Sequence, residues 1–292
     1  MKRTGKPCGQ LAPRSRWRSA GRGKRGIPGR RPVRGSAGTV FGRRGLRISV
    51  VVTGGNGREA PLKALPGLGR LRPRQIIVLL HGEGKVGLEL IRSFPKTTVI
   101  HTPEPLGHRG ERCAGARLAE GDAILFVDGT VPADAQRLRP LLKAVRSGVD
   151  LALEYSGTGL VPFSAWDDTM RLRAFLNSGL SRPDLGASSM SDLPYALSRR
   201  ALRALGADAL AEPAKAHAAA ITRGLRVRAC GRTAGRGRVG GGSERSGVHL
   251  PGRRSIDEHI EALREAMSRG GARLGLIDAE RRRSAARGGI TL

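Results

Sequence analysis

The most chemically suggestive residue of this chain is Asp128, which follows directly on the apolar run Ala123-Ile-Leu-Phe-Val127 and precedes Gly129 and Thr130. Five apolar residues make a strand buried on both faces and are too few for a helix. In an open α/β sheet, ligands gather beyond the carboxyl ends of the strands. A carboxylate placed there is more telling than one elsewhere in the chain. An Asp before Gly is also an ordinary turn residue, and the sequence alone leaves both roles open. A second motif follows another apolar run, Ile48-Ser-Val-Val-Val52, and reads Thr53-Gly-Gly-Asn-Gly57. Gly55-x-Gly57-x-x-Ala60 fits the loose dinucleotide fingerprint, with Glu83 where a ribose-binding acid would stand. A short-chain dehydrogenase would also need Tyr-x-x-x-Lys. Neither Tyr155 nor Tyr195 has a lysine four residues on, which counts against that class. His101, His108 and His217 lack the ligand spacing of a zinc site. Arg109 and Arg112, at the start of a predicted helix, have the forked geometry to grip a diphosphate.

The elements that would position these residues recur with a regular rhythm. Ile48–Val52, Ile76–Leu80, Thr97–Ile100, Ala123–Val127 and Val149–Tyr155 read as strands beginning about every 25 residues, with helical material between them. Leu88, Leu90, Ile91 and Phe94 have helical spacing, as do Leu138, Leu141, Leu142 and Val145, where Pro140 should kink or restart the helix. Such alternation predicts parallel βαβ units with right-handed crossovers. Beyond Tyr155 the rhythm weakens. Ser164 is placed to cap a helix holding Trp166, Met170 and Leu172; Arg182–Asp192 reads as loop; Ala196–Leu205 and Asp208–Arg223 read as helices; and Leu225–Cys230 alternates like a half-exposed strand. Ser255-Ile-Asp-Glu258 has the form of a capping box, followed by Ile256, Ile260, Leu263 and Met267 on one face and stopped at Gly270-Gly271.

Charge is distributed unevenly. The formal net charge is +29, and residues 1–46 hold fourteen Lys/Arg, ten Gly and no acid; the first carboxylate is Glu59. That composition buries too little apolar surface to offset the entropy of ordering, so it predicts a disordered basic tail suited to a polyanion, either nucleic acid or an anionic membrane surface. Residues 231–254 return to Gly and Arg and read as a linker. No secretory apolar region and no span of about 18 apolar residues is present. Cys8, Cys113 and Cys230 are odd in number and far apart, which fits a reducing compartment. The expected location is therefore the cytoplasm, including the inner face of a membrane.

Over roughly Arg47–Cys230 the order of segments resembles the family 2 glycosyltransferases, with their GT-A nucleotide-sugar-binding fold. Ile48-Ser-Val-Val-Val-Thr-Gly-Gly-Asn-Gly57 stands for the family's Val-Ser-Val-Val-Ile-Pro-Thr-Tyr-Asn-Glu, and Leu80-His-Gly-Glu83 for its Asp-Asp-Gly-Ser. Pro105-Leu-Gly107 and Glu111-Arg-Cys-Ala-Gly115 stand for Asn-x-Gly and Ala-Arg-Asn-x-Gly. Glu120-Gly-Asp122 and Phe126-Val-Asp-Gly-Thr130 correspond to the element ending in Asp-x-Asp, and Arg223-Gly-Leu-Arg-Val227 to the segment after the Glu-Asp motif. The resemblance implies a divalent cation (Mn or Mg) on Asp128 and Thr130, and nucleotide contacts from Thr53, Gly55, Asn56, His81, Gly82, Arg112 and Asp128. It also marks departures: Thr130 replaces the second metal acid, and the Glu-Asp motif aligns with Glu212-Pro213, where proline cannot act as a base. Glu212, Asp192 and Asp184 are the substitutes on offer.

The expectation is thus an α/β protein with a GT-A (Rossmann-like) domain over 47–230, its mostly parallel central sheet flanked by helices. A disordered basic tail occupies 1–46, a linker 231–254, and a docked C-terminal helix with a basic end 255–292. The implied activity is transfer of a sugar from a nucleotide-sugar donor to a hydroxyl acceptor, inverting and metal-assisted. The alternative is an inactive relative whose tail binds nucleic acid or an anionic surface.

Overall fold

A computed structural model describes residues 45–54, 60–81, 88–104, 106–156, 162–231 and 251–276. The basic tail up to residue 44, most of the glycine motif after the first strand, Gly82 and Glu83, and most of the linker lie outside the described residues.

The predicted strands form at the predicted places: β1 (Ile48–Thr53), β2 (Gln75–His81), β3 (Thr97–Thr102), β4 (Ala123–Asp128) and β5 (Leu151–Glu154). Between them lie α1 (Ala60–Gly69), α2 (Leu88–Ser93), α3 (Gly107–Leu118) and α4 (Ala135–Arg146). After β5 come α5 (Asp168–Gly179), β6 (Tyr195–Ser198), α6 (Arg199–Leu205), α7 (Pro213–Thr222), β7 (Val227–Cys230) and α8 (Pro251–Gly270). All seven strands join one sheet in the order β3-β2-β1-β4-β6-β5-β7. Pairing is parallel throughout except at β6, which runs antiparallel to both β4 and β5.

The alternation of side chains along a strand divides the core into two layers. Val50, Val52, Ile76, Val78 and Leu125 face α1, α2 and α4, while Val51, Ile77, Leu79, Ile124 and Phe126 face α3, α6 and α7. Each of these side chains is essentially solvent-free, and full burial of one contributes about 1.5–3 kcal/mol. The helices change sides as the chain reverses from β3 to β4, so β1 is flanked by β2 on one hand and β4 on the other. Helix α3 crosses β1 closely: a Cβ on Gly115 would stand 2.2 Å from Val51 Cγ1, so only glycine allows that approach.

Several expectations need correction. Tyr195–Ser198 is a strand, where a helix was expected from Ala196 onward; Ser198 then caps α6, its Oγ accepting from Ala201 N at 3.0 Å. The long helix expected over Asp208–Arg223 is broken at Glu212, because Pro213 at the first helical position cannot continue the preceding 3₁₀ turn Asp208–Ala211. Asp167, not Ser164, caps α5, accepting from Met170 N at 2.7 Å, and Ser164 lies in a separate 3₁₀ turn. Ser255 is no cap either, since α8 begins four residues earlier at Pro251. The buried face of α8 carries His259, Ala262 and Ala266, while Ile256, Ile260, Leu263 and Met267 are only half-buried. It docks on α5 and α7, with Ala262 against Leu176, Ala214 and Ala218. Pro140 neither splits nor restarts α4, which runs unbroken from its Asp134 cap. Among the described residues no helix is long and apolar enough to cross a membrane.

Candidate functional site

At the carboxyl ends of the parallel strands the strand order reverses between β1 and β4, which opens the crevice where open α/β sheets take ligands. The two strands are in register there, Thr53 opposite Asp128, and Gly129 N donates to Thr53 O at 2.7 Å. Asp128 is half-buried at the end of β4. Its Oδ1 accepts from Thr130 N at 2.8 Å and from Thr130 Oγ1 at 2.7 Å. This is an Asx turn, so the ordinary turn role is real. It occupies one carboxylate oxygen and leaves Oδ2 without a protein partner among the described residues.

Gly54 closes the other side of the crevice. Its φ of +90° lies in the region that favours glycine, and a Cβ there would stand 3.0 Å from Asp128 Oδ1 and 3.3 Å from Thr130 Cγ2. Keeping that position bare leaves the Asp128 carboxylate open on the β1 side. Thr53 does not turn its hydroxyl to the crevice: it is buried and donates to Val127 O at 3.3 Å.

Beneath Gly54 lies a buried polar pair that sequence reasoning did not single out. Glu111, on α3 and 1% exposed, accepts from Gly54 N at 2.7 Å through Oε2 and meets His81 Nε2 through Oε1. The other ring nitrogen of His81 lies 3.3 Å from Thr102 Oγ1, which donates to Glu104 O at 2.8 Å. His81 therefore spends both nitrogens inside the protein, and its side chain is 2% exposed. Its position at the end of β2 is as expected; the direct nucleotide contact expected of it is not what the geometry provides. Instead it fixes Glu111, which fixes the Gly54 turn. One signal was visible in the sequence: Glu111 stands where the resembling family's pattern has alanine.

Arg112 likewise corrects an expectation. Its guanidinium is buried against the Tyr195 ring, 5.7 Å from the centroid, and donates to Met190 O at 3.0 Å and Ser191 O at 3.1 Å. It ties α3 to the loop before β6 and offers no free fork to a diphosphate. Tyr195 stacks on Phe126 at 4.8 Å, and burial pushes its hydroxyl up to about 12.

The three acids offered as bases are all ion-paired. Asp184 takes two bonds from Arg182 at 2.7 Å each, and that guanidinium holds its carboxyl below the usual range, which makes it a poorer proton acceptor. Asp192 pairs with Arg173 at 2.5 Å. Glu212, just ahead of α7, pairs with Lys215 at 2.6 Å, and Lys215 also reaches Glu261 on α8 at 3.1 Å. Gly55, Asn56 and Gly82 lie outside the described residues. Among the described residues no cluster of three or more His, Cys, Asp or Glu is placed to hold a metal.

No family model matches the chain, and no curated relative matches it. Among solved structures it is similar to glucosyl-3-phosphoglycerate synthase from Mycobacterium tuberculosis in complex with uridine diphosphate, at 18% identity and a TM-score of 0.47, over 80% of this chain and 82% of that one. It is also similar to the mannosyltransferase PcManGT from Pyrobaculum calidifontis in complex with GDP-mannose and Mn²⁺, at 14% identity and a TM-score of 0.45, over 78% and 77%. A third is S. aureus TarS, at 17% identity and a TM-score of 0.41, over 63% and 59%.

Proposed function

We propose that the protein binds a nucleotide-sugar in the crevice between β1 and β4 and transfers its sugar to a hydroxyl acceptor. The observation that carries this is Asp128: a half-buried carboxylate at the switch point of the sheet, its Oδ1 held by Thr130 beside the bare Gly54 turn and its Oδ2 without a protein partner among the described residues. The sequence resemblance over Arg47–Cys230 gives the reading its substrate class. A divalent cation fits as a partner of Asp128 Oδ2 and the Thr130 hydroxyl, and when bound it would neutralise charge on the departing diphosphate. With one carboxylate the protein holds such an ion weakly by itself, so nucleotide and ion bind together. Glu111 and His81 keep the Gly54 backbone in the conformation that leaves Asp128 open. Attack by the acceptor on the face opposite the leaving group would invert the anomeric centre, with a carboxylate taking the acceptor proton.

The second reading is a protein that binds nucleotide-sugar without transferring it. It is favoured by the ion pairs on Glu212, Asp192 and Asp184 and by Pro213 at the family's base position. Calorimetric titration of UDP and GDP, with and without Mn²⁺, tests the shared part. Mn²⁺ is expected to raise nucleotide affinity at least tenfold in the wild type and not at all in Asp128→Asn. Equal affinities in both proteins, with and without metal, would leave Asp128 a turn residue. Hydrolysis of a bound UDP-sugar or GDP-sugar, followed by release of free sugar, separates the enzyme from the binding protein.

A further inference from the structure

The edge of the sheet opposite the crevice carries a charged row. Read in sheet order from β3 to β7, the residues just outside the strands on this edge are Lys96, Arg74, Arg47, Asp122, Arg199, Asp150 and Arg226. Backbone hydrogen bonds align them as one line: Ile76 N to Lys96 O, Arg74 N to Ile48 O, Asp122 N to Arg47 O, Arg199 N to Asp122 O, Ser198 N to Asp150 O and Asp150 N to Arg226 O, all between 2.7 and 2.9 Å. Five of the seven are cations. Both acids are internal and already committed: Asp122 to Arg47, and Asp150 to Arg200 and to Arg226 N. Exposed arginines continue the face on both helical layers, Arg70, Arg72 and Arg146 on one side and Arg203 and Arg223 on the other.

An arginine-rich composition does not explain the row. The corresponding positions at the other ends of the same strands are Pro103, Gly82, Gly54, Gly129, Pro194, Tyr155 and Gly231, none of them charged. Complementing helix dipoles does not explain it either, since that effect fades beyond the last helical turn and strand starts have little dipole to complement. Burial first, then the nearby charge of Arg203, lowers the basicity of Arg199, whose guanidinium turns inward to donate to Gly121 O. A protein that gathers like charges on one edge gains from it when a polyanion covers them.

We infer that this edge docks on an anionic phospholipid surface. Seven strands about 4.8 Å apart give a line of roughly 30 Å, and helices on both sides broaden it into a face. Nucleic acid is fitted by an element that enters a groove or by aromatic platforms for bases. This edge presents strand starts and helix ends, and the exposed aromatics Phe163 and Phe175 belong to α5 and the turn before it. The exposed apolar side chain at the end of α3 is Leu118, a group that headgroups accommodate. Guanidinium groups pair with phosphodiesters in two-pronged fashion. The arrangement points the crevice away from the bilayer, toward water-borne substrates.

The test is flotation of the full chain with phosphatidylcholine vesicles, with and without phosphatidylglycerol. The variant carries Arg72→Gln, Arg74→Gln, Arg203→Gln and Arg226→Gln and keeps the basic tail. The wild type should float with phosphatidylglycerol vesicles, and the variant's partition coefficient should fall by about three orders of magnitude at an unchanged melting temperature. Arg→Lys at the same four positions should keep most of the binding. If the quadruple Gln variant melts early, the pair Arg74→Gln and Arg226→Gln should still show a loss of about thirtyfold. Undiminished vesicle binding by the Gln variants would overturn the inference, as would equal binding to pure phosphatidylcholine. So would a loss of duplex DNA binding in the variants with vesicle binding retained.

Discussion

Replacing Glu111 tests how the crevice is held. In the wild type this buried carboxylate takes the Gly54 N–H at 2.7 Å and the His81 ring at once. Glu111→Ala strands two donors in a site closed to water. A buried donor left unpaired costs about 1–3 kcal/mol, so stranding two should cost about 2–6 kcal/mol. Glu111→Gln is different in kind. Its amide oxygen can accept from Gly54, and its NH₂ can donate to a neutral His81 ring whose other nitrogen donates to Thr102. Both of these partners remain, and the loss should be about 1–1.5 kcal/mol. Urea unfolding followed by far-UV circular dichroism measures both, with the m-value required to stay constant. Nucleotide affinity should fall with stability in the alanine variant, because the Gly54 turn loses its anchor. Equal losses in the two variants, or an alanine loss below about 1 kcal/mol, would refute the claim that this network sets the turn.

Other sites give sharper single readouts. Gly115→Ala pushes a Cβ to 2.2 Å from Val51 Cγ1, and the overpacking should cost about 1–3 kcal/mol by the same unfolding assay, where an exposed helical glycine would gain from alanine. His217 is wholly buried, bonded to Asn177 Oδ1 at 2.7 Å, and burial followed by the nearby His259, Arg173 and Arg182 brings its basicity down to about 3 from 6.5. The unfolded chain therefore takes up a proton that the folded chain refuses. Stability is full above about pH 6.5 and declines toward pH 3 by up to about 1.4 kcal/mol per pH unit. His217→Gln should flatten that acid limb in melting curves taken across pH 3–7, and superimposable limbs would dismiss the assignment. Gly54→Ala should weaken nucleotide binding more than it weakens the fold, since its Cβ meets Asp128 Oδ1 at 3.0 Å; unaltered nucleotide affinity in titration would contradict that.

The first half of the fold was legible because each buried strand is a short apolar run and each helix between them has its own period. Ile48–Val52, Ile76–Leu80 and Ala123–Val127 needed nothing beyond that pattern. The second half was harder for definite reasons. Ala196, Leu197, Ala201, Leu202 and Leu205 have both the spacing and the residue types of one helix, yet Tyr195–Ser198 is drawn into the gap between β4 and β5, where sheet pairing outweighs propensity. At α8 the docked stripe is His259, Ala262 and Ala266, and small side chains that allow close approach are easily passed over in favour of larger ones. Of the candidate site, Asp128 and its place were readable because strand ends are readable. The work of His81 and Arg112 was not, since both sit at expected positions but turn their polar atoms inward. Which way the His81 ring points depends on α3, whose Glu111 lies 30 residues further along the chain.

The register of β1 against β4 also bears on how the chain is made. Ile48 lies opposite Ala123, about 75 positions later, and nothing earlier in the sequence pairs with that side of β1. At synthesis rates of about 5–20 residues per second, that edge of β1 waits roughly 4–15 s for its neighbour to be translated. For this interval Val50, Val51 and Val52 form a hydrophobic strand with an open hydrogen-bonding margin, the kind of segment that pairs with other nascent chains. The crevice is divided between the same two strands. It comes into being at the moment when β4 seals the margin, so the crevice and protection from aggregation arrive in a single step of biogenesis.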